Sequence, residues 1–414
     1  MSVLALAAAP LAATSAAPSA TARTVDRQIA YTAWDTRADL QTGAAKGVRV
    51  VRGTVRLDDP ARTARYARTT WERGTWTSPW TTPGFSFTEL VPSWEARTPA
   101  GTFVHVHVRG RSADGSVSSW DSLGRWASHD SGFRRTSQGS QPDDLGSVST
   151  DTWQVRGLTG WQVRVTLLRE AGSTATPKLD AVGAMVSRLP ATADVATSAP
   201  GVARGTVLAV PRFSQMVHQG HYPQWGGGGQ AWCSPTSLAM VLRYYRALPP
   251  AKQTAWAGNH PARVVDHLAR MTYDYGYRGT GNWPFNTAYA ATRVQQAFVT
   301  RFASLRDVEQ LIAAGIPVIT SISFRSGELR NAPIGGTNGH LMVVVGFTES
   351  GDVVVNDPAA DPRQGESVRR VYDRGQFEDV WLRRGTSAGG SGGLGYVVRD
   401  ADHPLPDRQG STSW

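Results

Sequence analysis

Residues 232–245 read WCSPTSLAMVLRYY. Apolar side chains recur at Leu238, Met240, Val241, Leu242 and Tyr245, the pattern of a helix buried on most of its surface. Pro235 falls in the first turn, where a missing N–H costs nothing. The stretch opens on Cys233, the single cysteine of the chain. A thiol there stands at a helix N-terminus, where unpaired N–H groups and the macrodipole favour the thiolate. One cysteine makes no bridge within the chain and no Cys-rich zinc site. Free cysteine is ordinarily a small buried residue, so a reactive thiol needs partners elsewhere in the sequence.

Two later stretches supply them. GHLMVVVGF (339–347) begins with a histidine and continues as an apolar strand, and GDVVVNDPAA (351–360) ends its own apolar run in Asn356 and Asp357. A tight hairpin between the two returns the end of the second strand beside the start of the first. Asp357 or Asn356 then lies within reach of His340. Singly, each residue has an ordinary structural reading as a satisfied histidine or a turn aspartate. Together they form the order that thiol hydrolysis needs: a nucleophile, a base that takes its proton, and a group that fixes the base.

The block VPRFSQ…WCSPTSLAMVL…GHLMVVVGF…VVVNDPAA resembles the bacterial cysteine peptidases of family thirty-nine, and more narrowly their secreted, transporter-free branch. The resemblance runs from Val207 to near Val398. It implies a papain-like α+β fold without a cofactor, with Cys233 as nucleophile, His340 as base and Asp357, followed by Pro358, as orienter. The family's first member follows its cysteine with glycine, where this chain has Ser234. The family also places an oxyanion-donating glutamine six residues before the cysteine. That position is Gly227 here, so Gln215 is preferred, with Gln224 and Gln230 as rivals and the Cys233 N–H as the second donor. Trp232, Asn282 and Trp283 are the candidate substrate contacts, the latter two in the aromatic turn GTGNWPFNTAYA (279–290).

Outward from this block the organisation is multidomain: an N-terminal all-β sandwich followed by an α+β papain-like cysteine peptidase domain. Residues 1–24 are apolar and small and resemble a secretory segment, so the expected location is secreted or cell-surface after signal-peptide removal. Residues 25–188 alternate with period two in short runs such as FVHVHVRG (103–110) and WQVRVTLL (161–168), which predicts a jelly-roll-like sandwich. Residues 189–206, rich in Ala, Pro, Thr and Ser, read as a linker. The peptidase domain spans 207–400, with helices at 261–271, 304–315 and 375–382 and strands beginning at 207, 317, 340, 352 and 395. Residues 401–414 form a tail.

The net charge is +10. Only Lys46, Lys178 and Lys252 are lysines, and the arginines are scattered without a run, a solvated surface rather than a nucleic-acid stripe. No stretch is long and apolar enough to span a membrane. His105 with His107, and His218 with His221, have metal-like spacing, but no nearby residue completes a ligand set, so no metal is expected. The sandwich holds most of the tryptophans; these are expected in its core, with binding to glycan or anionic cell wall as a hypothesis for the domain. The expected substrate is a peptide or protein. The rival readings are a wall-peptide hydrolase with the same residues, and a non-catalytic wall- or glycan-binding protein.

Overall fold

The computed structural model describes residues 27–60, 62–141, 145–190, 195–384, 389–408 and 410–414. The expected export segment lies outside the described residues.

The N-terminal region runs β1 (Gln28–Trp34), α1 (Arg37–Gln41), β2 (Ala44–Lys46), β3 (Val48–Val51), β4 (Thr54–Leu57), β5 (Arg62–Tyr66), β6 (Thr69–Thr77), β7 (Phe87–Arg97), β8 (Thr102–Arg111), β9 (Asp121–Trp126), β10 (Gly146–Ser149), β11 (Thr152–Leu158), β12 (Gly160–Glu170) and β13 (Lys178–Arg188). These strands form two sheets. One has the order β10-β11-β7-β13-β4-β3 with β1 also on β13; the other has the order β2-β6-β12-β8-β9 with β5 also on β6. Alternation fixes the register of the second sheet. Val104, Val106 and Val108 of β8 stand opposite Leu167, Val165 and Val163 of β12, and all six are fully buried. The other face of β8 carries His105, whose Nε2 lies 2.7 Å from Ser122 Oγ.

The tryptophans mostly fill this core. Trp34 meets Trp76 and Trp161 edge-on, each at 5.7 Å between ring centroids. Trp71, Trp94, Trp126 and Trp153 are buried as well. Trp80 and Trp120 are half-buried, and their faces are covered by the Arg109, Arg111 and Arg164 guanidinium groups at 3.9–5.1 Å.

The C-terminal region runs α2 (Cys233–Tyr244), α3 (Ala251–Thr254), α4 (Val264–Thr272), α5 (Trp283–Ala291), β14 (Gln296–Arg301), α6 (Leu305–Ala313), β15 (Val318–Phe324), β16 (Thr337–Phe347), β17 (Val353–Asn356), β18 (Arg369–Tyr372), α7 (Arg374–Leu382) and β19 (Leu394–Arg399). Its antiparallel sheet has the order β14-β19-β15-β16-β17-β18. Helix α6 starts where the sequence predicts, with Ser304 Oγ accepting from the Arg306 N–H at 3.2 Å. The strand expected at 207 shrinks to a single bridge, Val207 to Gly346. A Cβ at Gly346 would run into the Thr206 carbonyl, so glycine permits this close approach. Strands β14 and β18 have no counterpart in the sequence reading. Each carries polar residues that sheet pairing and tertiary bonds satisfy.

The two regions are interlocked. β14 is an edge of its sheet, and its outward N–H groups need acceptors. Ser93 Oγ and Glu95 Oε1 of β7 accept from Val299 N at 2.8 Å and Ala297 N at 3.0 Å. Two residues apart on a strand, Ser93 and Glu95 share a face. Glu89 of the same strand bonds Arg301 at 2.8 Å and also pairs with Arg384. Further along, Trp283 N donates to Asp151 at 2.8 Å and Ser137 N donates to Asp274 at 2.9 Å. The Phe285 ring meets Trp94 edge-on at 6.1 Å.

The described part of the predicted linker is tied down. Ser198 N and Oγ both donate to Glu378 at 2.6 Å, and Arg374 Nε donates to the Ser198 carbonyl at 2.7 Å. The tail is tied down too. Tyr31 N donates to Thr412 O at 3.0 Å, Thr300 Oγ1 donates to Ser413 O at 2.5 Å, and Trp414 is buried.

Candidate active site

Helix α2 has no side-chain N-cap at Trp232. Its first amides are therefore left for the group at Cys233, and the Ser234 N–H helps to lower the thiol. Ser237, one turn on, donates to the Leu341 carbonyl at 3.0 Å and anchors α2 to β16. That contact sets the start of β16 beside the start of α2, and His340 comes with it.

His340 is buried, and its Nε2 lies 2.7 Å from Asp357 Oδ1. A carboxylate only accepts, so Nε2 carries the proton in this bond. Nδ1 is left for the Cys233 thiol, which adds to the groups that raise the imidazole. Asp357 lies just past the end of β17. Besides His340 it takes the Ala359 N–H at 2.9 Å on Oδ1 and the Tyr372 hydroxyl at 2.8 Å on Oδ2. Asn356 turns away, donating to the Val210 and Pro211 carbonyls at 3.2 and 3.0 Å. The alternative that the sequence left open between these neighbours is thus separated by geometry.

Burial alone would push the Cys233 thiol up, but the His340 hydrogen bond and charge, with the Leu341 and Ser234 N–H groups, bring it below its ordinary value. Burial likewise opposes charge on His340, but the Asp357 carboxylate outweighs it and raises the imidazole. A depressed thiol and an elevated imidazole favour the thiolate–imidazolium pair. Asp357→Asn removes the charge that raises His340, so the imidazolium weakens and the thiol climbs. The expected result is that alkylation by iodoacetamide begins at distinctly higher pH in the variant than in the native chain. Superimposable pH profiles would contradict this account.

Gln215 is buried, and its backbone N–H donates to the Pro358 carbonyl at 2.9 Å, next to Asp357. Its Nε2 donates to the Gln230 carbonyl at 2.7 Å, three residues before Cys233, while its Oε1 has no hydrogen-bond partner. Gln224 is exposed, and the exposed Gln230 has its side chain tied to Gly227 and Gly220. Of the three glutamines, only Gln215 is buried in the scaffold that joins the Cys233 and Asp357 segments.

The cleft over Cys233 has a volume of about 710 Å³. Trp283 of the aromatic turn lines it, as does Tyr277 just ahead of that turn. Trp232 and Asn282 do not. Trp232 is fully buried with Nε1 donating to the Trp225 carbonyl at 2.6 Å. Asn282 is a buried N-cap of α5, accepting from Phe285 N at 3.0 Å and donating to Asp274 at 2.9 Å. The opposite wall is one the sequence reading does not foresee: residues 149–152 and Gln154 of the sandwich, with Glu89 at the interface. Asp151 is the buried acid of this wall, its carboxyl pushed up to about 7 by burial. Tyr372, the second anchor of Asp357, is also missed, because β18 gives no apolar signal.

Fold and site define a two-domain protein whose α+β half brings a thiol, an imidazole and a carboxylate together at a cleft roofed by a β-sandwich. Residues 30–187 match the family model described as Peptidase C39 N-terminal domain, and residues 207–389 match that of the Peptidase C39-like family. The chain belongs to the family-thirty-nine-like peptidases. None of the curated proteins matches it. Similar solved structures include "Structure of infectious bursal disease virus Gx strain" (8% identity, TM-score 0.20, 43% of this chain and 38% of that chain). Another is "Structural basis for the promiscuous specificity of the carbohydrate-binding modules from the beta-sandwich super family" (12% identity, TM-score 0.16, 37% and 56%). This chain therefore spans well under two thirds of either one.

Proposed function

We propose that the protein is an exported cysteine peptidase that cleaves a peptide bond through a thioester. The observation that carries the reading is the unbroken line from the Cys233 thiol through His340 to Asp357, open to a cleft large enough for several residues of peptide. Cys233 Sγ attacks the scissile carbonyl carbon as the thiolate, and the carbonyl π electrons move onto oxygen. The tetrahedral oxyanion collapses, His340 delivers its Nδ1 proton to the leaving amine, and the C–N bond breaks to give the acyl thioester. Water attacks this in turn, losing a proton to His340, and returns the thiol and a free acid.

The Gln215 amide and the Cys233 N–H act as the oxyanion donors. Removal of one such donor costs about 10²–10³ in kcat. Gln215→Ala is therefore expected to lower kcat on that scale with KM little moved; an unchanged kcat assigns the donor elsewhere. The sandwich serves as a wall of the substrate cleft. Among the described residues of the sandwich, the half-buried Trp80 and Trp120 already stack under arginines.

The test is digestion of a mixed-sequence peptide library and of purified cell walls by the native chain and by Cys233→Ala, with products read by mass spectrometry. New amine termini from the native chain alone are expected. Equal product from both proteins would sink the peptidase assignment.

A further inference from the structure

His218, His221, His260 and Asp266 meet on the side of the loop that leads into Cys233. Their ligating atoms all lie within 4.8 Å of one another, and the described residues contain no second cluster of this kind. His218 ends the 3₁₀ turn Met216–His218 that follows Gln215, His221 lies just beyond it, His260 precedes α4, and Asp266 lies on α4. The sequence spacing hides the set, because some forty residues separate its two halves.

His221 Nδ1 is hydrogen-bonded to Asp266 Oδ1 at 2.9 Å, but the other two contacts have a shape that hydrogen bonding does not explain. His218 Nδ1 lies 3.0 Å and His260 Nε2 lies 3.2 Å from Asp266 Oδ2, yet none of these three atoms has an aligned hydrogen-bond partner. His218 and Asp266 are completely buried, where an unmatched polar atom is costly. His260 Nδ1 lies 3.0 Å from the Pro261 carbonyl, which only accepts. The His260 proton is therefore on Nδ1, and the lone pair of Nε2 faces a carboxylate oxygen. That contact is repulsive for the neutral ring, and either a proton on Nε2 or a bound cation relieves it.

A metal ion removes both difficulties. Three imidazole nitrogens and one carboxylate oxygen suit tetrahedral zinc, whose ligands at about 2.0–2.1 Å stand about 3.3 Å apart along each edge. Here His218 Nδ1 and His260 Nε2 lie 3.0 and 3.2 Å from Asp266 Oδ2, and His221 Nδ1 lies 2.9 Å from Oδ1 of the same carboxylate. The His260 bond to a backbone carbonyl is the outer-shell partner that orients a ligating ring. Tyr222, Trp225 and Trp256 pack around one another beside the site with centroids 5.2–5.3 Å apart and supply an apolar surround. His221 and His260 are 34% and 28% exposed, which gives the ion a way in.

We propose that these four residues bind a structural zinc ion that clamps the 215–232 loop to α4. The loop carries Gln215 at one end and leads into Cys233 at the other, so the ion would hold both in place without touching substrate. The site is separate from the proposed chemistry, and its test does not use activity.

The full-length chain is purified without chelator, its zinc counted by elemental analysis, and its zinc edge examined by X-ray absorption. About one zinc per chain, with four nitrogen or oxygen neighbours and imidazole outer-shell scattering, is expected. EDTA should lower the melting temperature and ZnCl2 should restore it. In His221→Ala/His260→Ala, whose changed positions are partly exposed, zinc and the EDTA response should both be lost. A native chain that is zinc-free, takes up no added ZnCl2 and melts identically with EDTA would overturn the proposal, whatever the fate of the double variant.

Discussion

Replacing Cys233 by Ala is expected to lower kcat/KM by about 10⁴-fold or more, and adding His340→Ala to it is expected to cost almost nothing further. The reason is that the two groups act as one unit. His340 matters by holding the thiol as thiolate and by shuttling its proton, and without the thiol there is nothing for it to serve. The measurement is kcat/KM on a peptide found in the library digest, for both single variants and the double. A double variant much worse than either single would mean independent roles, and the proposed mechanism would be wrong in its central step. Cys233→Ala should leave the melting temperature close to that of the native chain, since the residue is small and only partly buried.

Glu89→Ala is expected to cost about 3–5 kcal/mol of stability, because it strands charge that is already out of water. Arg301 is buried, with Glu89 as its carboxylate partner across the domain boundary, and Arg384 shares the same carboxylate. Burial pushes the Glu89 carboxyl up, but the two arginines outweigh it and hold it below the usual range. The folded value is thus depressed. Its contribution is full above the unfolded glutamate value, about 4.3, and is lost as pH falls through the folded one. Urea unfolding of the full chain should therefore show a large gap between native and variant at neutral pH, closing in acid. A gap under about 0.5 kcal/mol at neutral pH, the scale of an ordinary surface change, would mean that the domain boundary does not depend on this pair.

The juxtaposition of Cys233, His340 and Asp357 was legible because each sits at an element end marked by a local pattern. A proline-bearing apolar helix opens on the cysteine, the apolar run of β16 opens on the histidine, and the next apolar run leads into Asp-Pro just past β17. Helices α4, α6 and α7 were legible through helical periodicity and capping residues. What escaped was set by distance along the chain. Glu89, Ser93 and Glu95 look like the solvated face of β7, and only β14 and Arg301, about 200 residues on, make that face buried. Asn282 sits in an aromatic turn that invites a binding role, yet its amide is consumed by capping α5 and bonding Asp274. Trp232 adjoins the cysteine in sequence but points into the core. His218 and His221 showed half of a ligand set whose other half, His260 and Asp266, arrives only when α4 packs against the loop.

The turn at residues 149–152 faces the cleft, while the flanking Val148 and Trp153 anchor it in the core of the sandwich. Under the proposed function, chemistry and selectivity then sit on separately evolvable parts of the chain. Changes in length or charge at this hairpin could redirect which peptides are accepted while leaving the thiol, its base and their supporting scaffold untouched. Relatives would be free to diversify their diets through a single hairpin at the cleft, and a designer could graft there for the same purpose.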